Sequence, residues 1–402
     1  MAGKWRRLLE EESEYQWLSI TAFFLFVFIG AFAIGATEHF VGASLVDVDA
    51  AHEGGLVTDI AYGPEVGAYT AVVYSPQAGY SLFTEDTRSG EIRVVYSPDT
   101  VDKAADVKFL KAMPDGEILF SVANNQVIGL EGTISVSYDY STTRGVFGVL
   151  DVAEREQGEF VHRMLLTQEG ANTSVRGIVG MTPTPAMSTS LGVQWHTIEA
   201  YDDTLWVALG THITTAGADG SSPATPQSRP VLGWIQWDGT EATPVVHKVQ
   251  TFGEGVFHSI AKSSDAVVIG GTSESLLIHN PEDVEVLEVP TVHALADENG
   301  RVWFIGQLGS SVLNTYEHGV LDTHVLGRPM PVEPHAAGAS GSYVHVHGVD
   351  ENGHPAQWSI DITANGSIES GRGFLNLLYL LTGTVVLALM LRYAVMEFRL
   401  QG

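Results

Sequence analysis

Four stretches of this chain repeat one arrangement, and repetition of that kind restricts the fold more than any other feature. Each stretch opens on a His, passes through a short apolar segment, turns, and enters a β-branched or aromatic run. The clearest copy is V-H-A-L-A-D-E-N-G-R-V-W-F-I-G-Q, Val292–Gln307. His196 leads into T-I-E-A-Y-D-D-T-L-W-V-A-L-G, His258 into S-I-A-K-S-S-D-A-V-V-I-G-G, and His335 into A-A-G-A-S-G-S-Y-V-H-V-H-G. In all four the His stands seven residues before the last position of the turn: Asp203, Asp265, Gly300 and Ser342. The runs suit packed strands, and Gly300 suits a turn position that needs positive φ.

Shorter strand signals fill the rest of the middle, punctuated by Gly, Pro, Asn and Asp. A first unit spans about 56–98, with strands at Val57–Tyr62, Tyr69–Tyr74, Tyr80–Thr84 and Glu91–Tyr96. A second begins with Val107–Ala112 and Ile118–Val122 and carries an insert at 124–143. The third begins at His196 with an insert at 211–228, and three more begin near Val256, Val292 and Pro334. Arg144–Asp151 resembles Arg229–Gln236, and both read as third strands; 167–194 reads as loop. Units of four short strands without helical pattern between them predict an all-β, six-bladed β-propeller. It becomes seven-bladed if 124–140 and 170–195 supply the strands of another blade. A β-sandwich pair or an irregular barrel is the rival. Ser44–Asp49 alternates apolar and polar and is placed to complete the sheet of the last blade.

Two apolar runs flank this region. Trp17–Ala36 has no charged residue, and neither has Phe374–Leu391; each is long enough for a membrane-spanning helix. Ala31-Phe32-Ala33 would suit a cleavage site. However, Glu10, Glu11, Glu12 and Glu14 stand where a secretory signal carries bases, which favours an uncleaved anchor. Lys4, Arg6 and Arg7 precede the first run, and Arg392 and Arg399 follow the second. The bias of basic residues therefore puts both ends in the cytoplasm and the middle outside the cell membrane. The expected organisation is a cytoplasmic segment 1–16, a transmembrane helix 17–37, an extracellular propeller 38–371, a second transmembrane helix 372–392 and a cytoplasmic tail 393–402. Ala31 and Gly35 form a small-xxx-small step that would let the two helices pack closely.

The middle holds 43 of the 48 acids and 14 of the 20 bases, a charge that repels nucleic acid and excludes it as a partner. No Cys is present, so an outside domain has no disulfide to rely on. No Walker loop, nucleophile elbow or H-E-x-x-H motif appears.

The chemistry-bearing candidates are the four repeated histidines. On inner strands of consecutive blades, His196, His258, His293 and His335 converge toward a channel mouth, where neutral imidazoles are good ligands for a divalent metal. A packing role, with each ring bonded to a neighbouring backbone or turn carboxylate, is the other expectation. His345 and His347 share a face with Tyr343 and read as a solvated polar face.

The blade core D-x-N-G-x-V-W-F-x-G, Asp297–Gly306, resembles the inner hairpins of the NHL, YVTN and streptogramin-lyase-like propellers, at the level of architecture across about 45–370. Four inner-strand histidines also resemble, in plan, the iron site of carotenoid-cleaving oxygenases. Two functions stay open, the first motivated by the double anchor, the inserts 124–143 and 167–194 and the want of a recognisable catalytic constellation, the second by the four histidines. The first is a membrane-anchored sensor, scaffold or binding module with a protein or small-ligand partner at a propeller face. The second is a metal-dependent, lyase- or oxygenase-like enzyme.

Overall fold

The computed structural model describes residues 23–27, 42–47, 379, 381–386, and 55–361 apart from 63–67, 77–78, 87–90, 97–106, 114–115, 124–125, 132–133, 141–146, 159, 189–191, 217–224, 327–328 and 342. The chain divides into two compact units: 43–324 with 328–360, and 1–42 with 325–327 and 361–402.

The larger unit is a seven-bladed β-propeller. Its first strand, β1 (Gly42–Asp47), belongs to the last blade. Blade 1 is β2 (Leu56–Tyr62), β3 (Ala68–Ser75), β4 (Gly79–Asp86) and β5 (Glu91–Tyr96). Blade 2 is β6 (Leu110–Ala112), β7 (Ile118–Ala123), β8 (Gln126–Glu131) and β9 (Ile134–Asp139). Blade 3 is β10 (Gly148–Gln157), β11 (Phe160–Glu169), β12 (Asn172–Val179) and β13 (Thr182–Pro183). Blade 4 is β14 (Val193–Ala200), β15 (Leu205–Ala216), β16 (Thr225–Gln236) and β17 (Val245–Thr251). Blade 5 is β18 (Phe257–Lys262), β19 (Val267–Gly271), β20 (Ser275–Asn280) and β21 (Asp283–Leu287). Blade 6 is β22 (His293–Ala296), β23 (Val302–Ile305), β24 (Val312–Glu317) and β25 (Val320–Val325). Blade 7 is β26 (Glu333–Ser340), β27 (Tyr343–Val349) and β28 (Pro355–Asp361), and β1 is hydrogen-bonded to β28 as its outermost strand. The ring thus closes with strands from both ends of the propeller, which leaves β28 no open edge.

The core is a series of layers between blades rather than one central mass. Met164 and Val175 of blade 3 meet Trp195, Trp206 and Ile235 of blade 4. Leu232 and Trp234 of blade 4 meet Phe257, Ile269 and Leu276 of blade 5. Val268 and Leu277 of blade 5 meet Phe304 and Tyr316 of blade 6. A blade is therefore apolar on both faces, and the second strands of blades 5 and 6 lose the usual alternation. All of Val267–Gly271 and all of Val302–Ile305 are buried.

The chain has seven blades rather than the six counted from its units. The stretch 124–143 is no insert: β8 and β9 lie within it and complete blade 2. The stretch 167–194 is no loop either, because β12 and β13 lie within it and complete blade 3. Arg144–Asp151 leads into β10, an inner strand, whereas Arg229–Gln236 lies on β16, a third strand. The two stretches share an apolar pattern, and such a pattern specifies burial on two faces without specifying position in the sheet. The stretch 211–228 extends β15 and β16 into a long ladder, from Leu205 opposite Gln236 to Ala216 opposite Thr225.

The turn that marks the repeat is held as its residues demand. Gly300 adopts φ 78°. The Asp297 carboxylate accepts the N–H groups of Asn299 and Arg301 and the Trp303 indole N–H, the last at 2.9 Å.

Most of both apolar runs, including Ala31 and Gly35, lies outside the described residues, as do 1–16 and 393–402. Within the smaller unit, Phe26 stacks on Tyr379 with centroids 5.1 Å apart, and the Tyr379 hydroxyl donates to the Val27 carbonyl at 3.2 Å. Among the described residues no helix is long and apolar enough to cross a membrane.

Candidate functional site

The inner strands β2, β6, β10, β14, β18, β22 and β26 surround the propeller axis. A β-bulge recurs near their starts. The register with the second strand slips at Thr58, Leu150, His196, His258 and His335. In blade 6 the Val292 N–H bonds to the Ile305 carbonyl while His293 is the register partner of Ile305, so two residues again oppose one. A bulge re-aims the side chain it carries. In the five slipped strands the preceding residue is buried between blades (Val57, Val149, Trp195, Phe257, Pro334), whereas the bulged residue keeps some contact with solvent. The constant distance from His to turn is therefore the length of one inner strand measured from its bulge.

This places His196, His258, His293 and His335 at equivalent positions on blades 4 to 7, in an arc around the channel. Burial holds His196 and His293 down to about 4, with the neighbouring His258 adding to both shifts. Burial also lowers His258. The His293 ring hydrogen-bonds to the backbone of His335, which partly opposes its shift. The His196, His258 and His293 rings are thus neutral at pH 7, and His293 is partly committed to the protein's own backbone. Among the described residues, no three of His, Asp and Glu come together closely enough to hold a metal ion.

His345 and His347 do not form a solvated face. His347 is buried at 3% exposure, beside the Tyr62 hydroxyl. The His345 ring lies between Tyr62 and Tyr343, bonded through Nδ1 to Ser359 at 2.6 Å. Both fill the junction where blade 7 meets blade 1.

The other half of the channel is charged. Asp59 sits one residue past its bulge and accepts the N–H groups of Ile60 and Leu110. Asp151, at the same position in blade 3, accepts those of Val152 and Ile198. Ser259 in blade 5 accepts the Ala294 N–H at 2.7 Å. Lys111 of β6 reaches across blade 3. Its Nζ donates to the Ile198 carbonyl at 2.9 Å and pairs with Glu199 at 2.8 Å and Asp151 at 3.6 Å. Burial raises Asp59 to about 7, against the pull of its two backbone bonds. Burial likewise raises Asp151, and Lys111 pulls it back. For Lys111 burial acts downward, but attraction to Asp151 and Glu199 prevails and raises it. The cluster escapes a search for repeated His. Its signal is the same repeat with Asp in place: V-x-D-I-A at Val57–Ala61 and V-x-D-V-A at Val149–Ala153, against F-H-S-I-A at Phe257–Ala261.

Register fixes what else shares the bulge-bearing face. In blade 4, Val193 pairs with His212, His212 with Arg229, and Val231 with Thr251. The start of the first strand, end of the second, start of the third and end of the fourth therefore lie together, on what is termed the upper face. A cleft of about 520 Å³ opens there between blades 4 and 5, lined by Ser228, Arg229, Phe252, Gly253, Glu254 and Gly255. Its loop is pinned. The Gly253 N–H donates to Glu274, and the Val256 N–H donates to the Thr272 hydroxyl, at 3.0 Å each. Gly255 adopts φ 108°, and a Cβ there would meet the Thr272 and Ser273 hydroxyls.

No family model and no curated protein matches this sequence. Solved structures do resemble it. One is a chain of the mitotic checkpoint complex, 10% identical, covering 80% of this chain and 92% of that one with a TM-score of 0.51. Another is a puromycin-hydrolyzing peptidase of Mycobacterium tuberculosis, 11% identical, covering 81% of this chain and 54% of that one, also with a TM-score of 0.51. At such identities the likeness shows the fold alone, and it is a propeller in both sequence pattern and structure.

Proposed function

We propose that this chain is a binding module: a propeller held outside the cell membrane by its two apolar runs, which takes a protein or small-ligand partner at its upper face. The observation that carries the reading is the gathering of recessed, polar features on that one face. The imidazole arc, the β15–β16 ladder and the cleft all lie there, on a rigid disc whose layers are packed with Trp and Phe. Propellers suit such work because many loops are presented from one stable frame. The membrane part rests on the length of the two runs and the bases that flank them. The lipid bilayer is then a second, permanent partner.

Absence of native Cys gives a clean test. Ser264→Cys on an exposed turn of blade 5 and Ser13→Cys before the first run each create the chain's only thiol. In intact cells a membrane-impermeant maleimide should label Ser264→Cys and spare Ser13→Cys until the cells are lysed. Labelling of both in intact cells, or recovery of the chain without membranes, overturns the anchored reading.

A further inference from the structure

We infer that the cleft between blades 4 and 5 binds a small zwitterion, a free α-amino acid or a short peptide, through its carboxylate on Arg229 and its ammonium on Glu254. The inference rests on the upper-face reading above and gives that face a ligand class.

Arg229 is the starting point. Of the described bases elsewhere, Lys111 pairs with Asp151 and Glu199, Arg163 with Glu117 and Glu154, Arg176 with Glu169, Lys248 with Glu282, Lys262 with Glu199 and Arg301 with Glu317, while Arg155 is buried against the Asp202 and Trp237 carbonyls. In so acidic a chain a base finds an acid easily. Yet the Arg229 guanidinium, exposed on the cleft wall, makes no side-chain hydrogen bond or ion pair among the described residues. Glu254 lines the same cleft and pairs with no base there. The two opposite charges thus share one recess without meeting each other. A guanidinium left unpaired is suited to bidentate capture of a carboxylate. An unpaired carboxylate across the same space takes an ammonium group. Glu254 also disfavours a ligand that is anionic throughout, such as a phosphate.

The remaining walls fit the class. Phe252 offers an apolar surface, held edge-on against Phe257 with centroids 5.4 Å apart. Gly253 and Gly255 keep the rim low. The bonds from Glu274 and Thr272 fix the loop before any ligand arrives, which lowers the entropy cost of binding. The volume of about 520 Å³ lies in the range of small-molecule sites.

The test is equilibrium dialysis of the full-length chain in detergent against the twenty α-amino acids and glycylglycine, followed by the N-acetyl and amide derivatives of whichever binds. Binding of a zwitterion is expected, weakened at least about tenfold by Arg229→Gln, by Glu254→Gln, by N-acetylation and by amidation. Equal binding of the N-acetyl form overturns the Glu254 half, and indifference to Arg229→Gln overturns the inference. If no zwitterion binds while labelling still places the propeller outside, this inference fails and the anchored reading stands.

Discussion

The Asp151 carboxylate of blade 3 accepts the backbone N–H of Ile198 from blade 4 at 2.8 Å. The same stitch joins Asp59 to Leu110 between blades 1 and 2, and Ser259 to Ala294 between blades 5 and 6. Inner strands lie too far apart to form a ladder with each other, so a side chain just past the bulge supplies the missing acceptor. Asp151→Ala removes that acceptor and leaves the Ile198 N–H buried. A loss of about 1–3 kcal/mol in urea unfolding is expected. A midpoint within error of wild type would mean the stitch carries no stability.

Lys111 holds a larger share of the ring. Its side chain is only 24% exposed, and Asp151 beside it 9%. Lys111→Met keeps the stem and deletes the charge, which leaves Asp151 and Glu199 facing each other without compensation. A cost of about 2–4 kcal/mol is expected, since breaking a buried pair leaves a desolvated charge behind. Lys111→Met with Asp151→Asn should recover part of it. Additive losses in the double variant would show that the two residues do not act together.

How far the sequence exposed this arrangement differs between its two halves. The strands of blade 1 were readable to within about two residues, because Gly, Pro and Asp bracket them. The closing strand was readable too, since Ser44–Asp49 overlaps β1. Blades 2 and 3 read as one unit because no His marks their inner strands: blade 3 carries Leu150 at the bulge where blades 4, 5 and 7 carry His196, His258 and His335. The His positions were visible as spacing; the bulge behind that spacing was not, because a bulge is a property of two strands in register. Lys111 was hidden altogether, for a lone Lys in a short strand reads as surface until its partners come from other blades.

The channel groups give a pH signature with opposed signs. His196 and His293 stand at about 4 in the fold, below the 6.5 of a free imidazole. The unfolded chain thus binds their protons more tightly, and their contribution, complete above 6.5, is lost as pH falls toward 4. Asp59 stands at about 7, above the 3.8 of a free carboxyl, so its contribution is lost as pH rises from 3.8 through 7. Urea midpoints measured from pH 4 to 7.5 should fall on the acid side. His293→Gln should flatten that fall, and Asp59→Asn should steepen it. An acid limb unchanged by His293→Gln would remove this imidazole from the account.

Asp297 offers a spectroscopic handle. Its carboxylate both shapes the turn ending at Gly300 and accepts the buried Trp303 indole N–H. Asp297→Ala should cost about 2–3 kcal/mol by removing the acceptor of that N–H and of the two turn N–H groups. Gly300→Ala, which strains a φ of 78°, should cost about 1 kcal/mol and leave the indole bonded. Tryptophan emission should therefore shift in Asp297→Ala and stay in place in Gly300→Ala. A shift in both would mean that the turn, rather than the carboxylate, sets the Trp303 environment.

Closure of the ring depends on β1 pairing with β28. An outermost strand is bonded on one side only, so alternate residues turn their N–H toward the neighbour and the others toward water. Leu45 and Val46 are adjacent in β1, and one of them must donate inward. Proline removes the N–H at either position, yet only one of Leu45→Pro and Val46→Pro deletes a ladder bond. One variant should therefore unfold earlier by about 1–3 kcal/mol, and the other by much less. Deletion of 42–47 should do more, exposing the edge of β28 and driving association visible in size-exclusion chromatography. Two proline variants of equal stability, with the deletion still monodisperse, would mean that β1 lies beside the last blade without closing it.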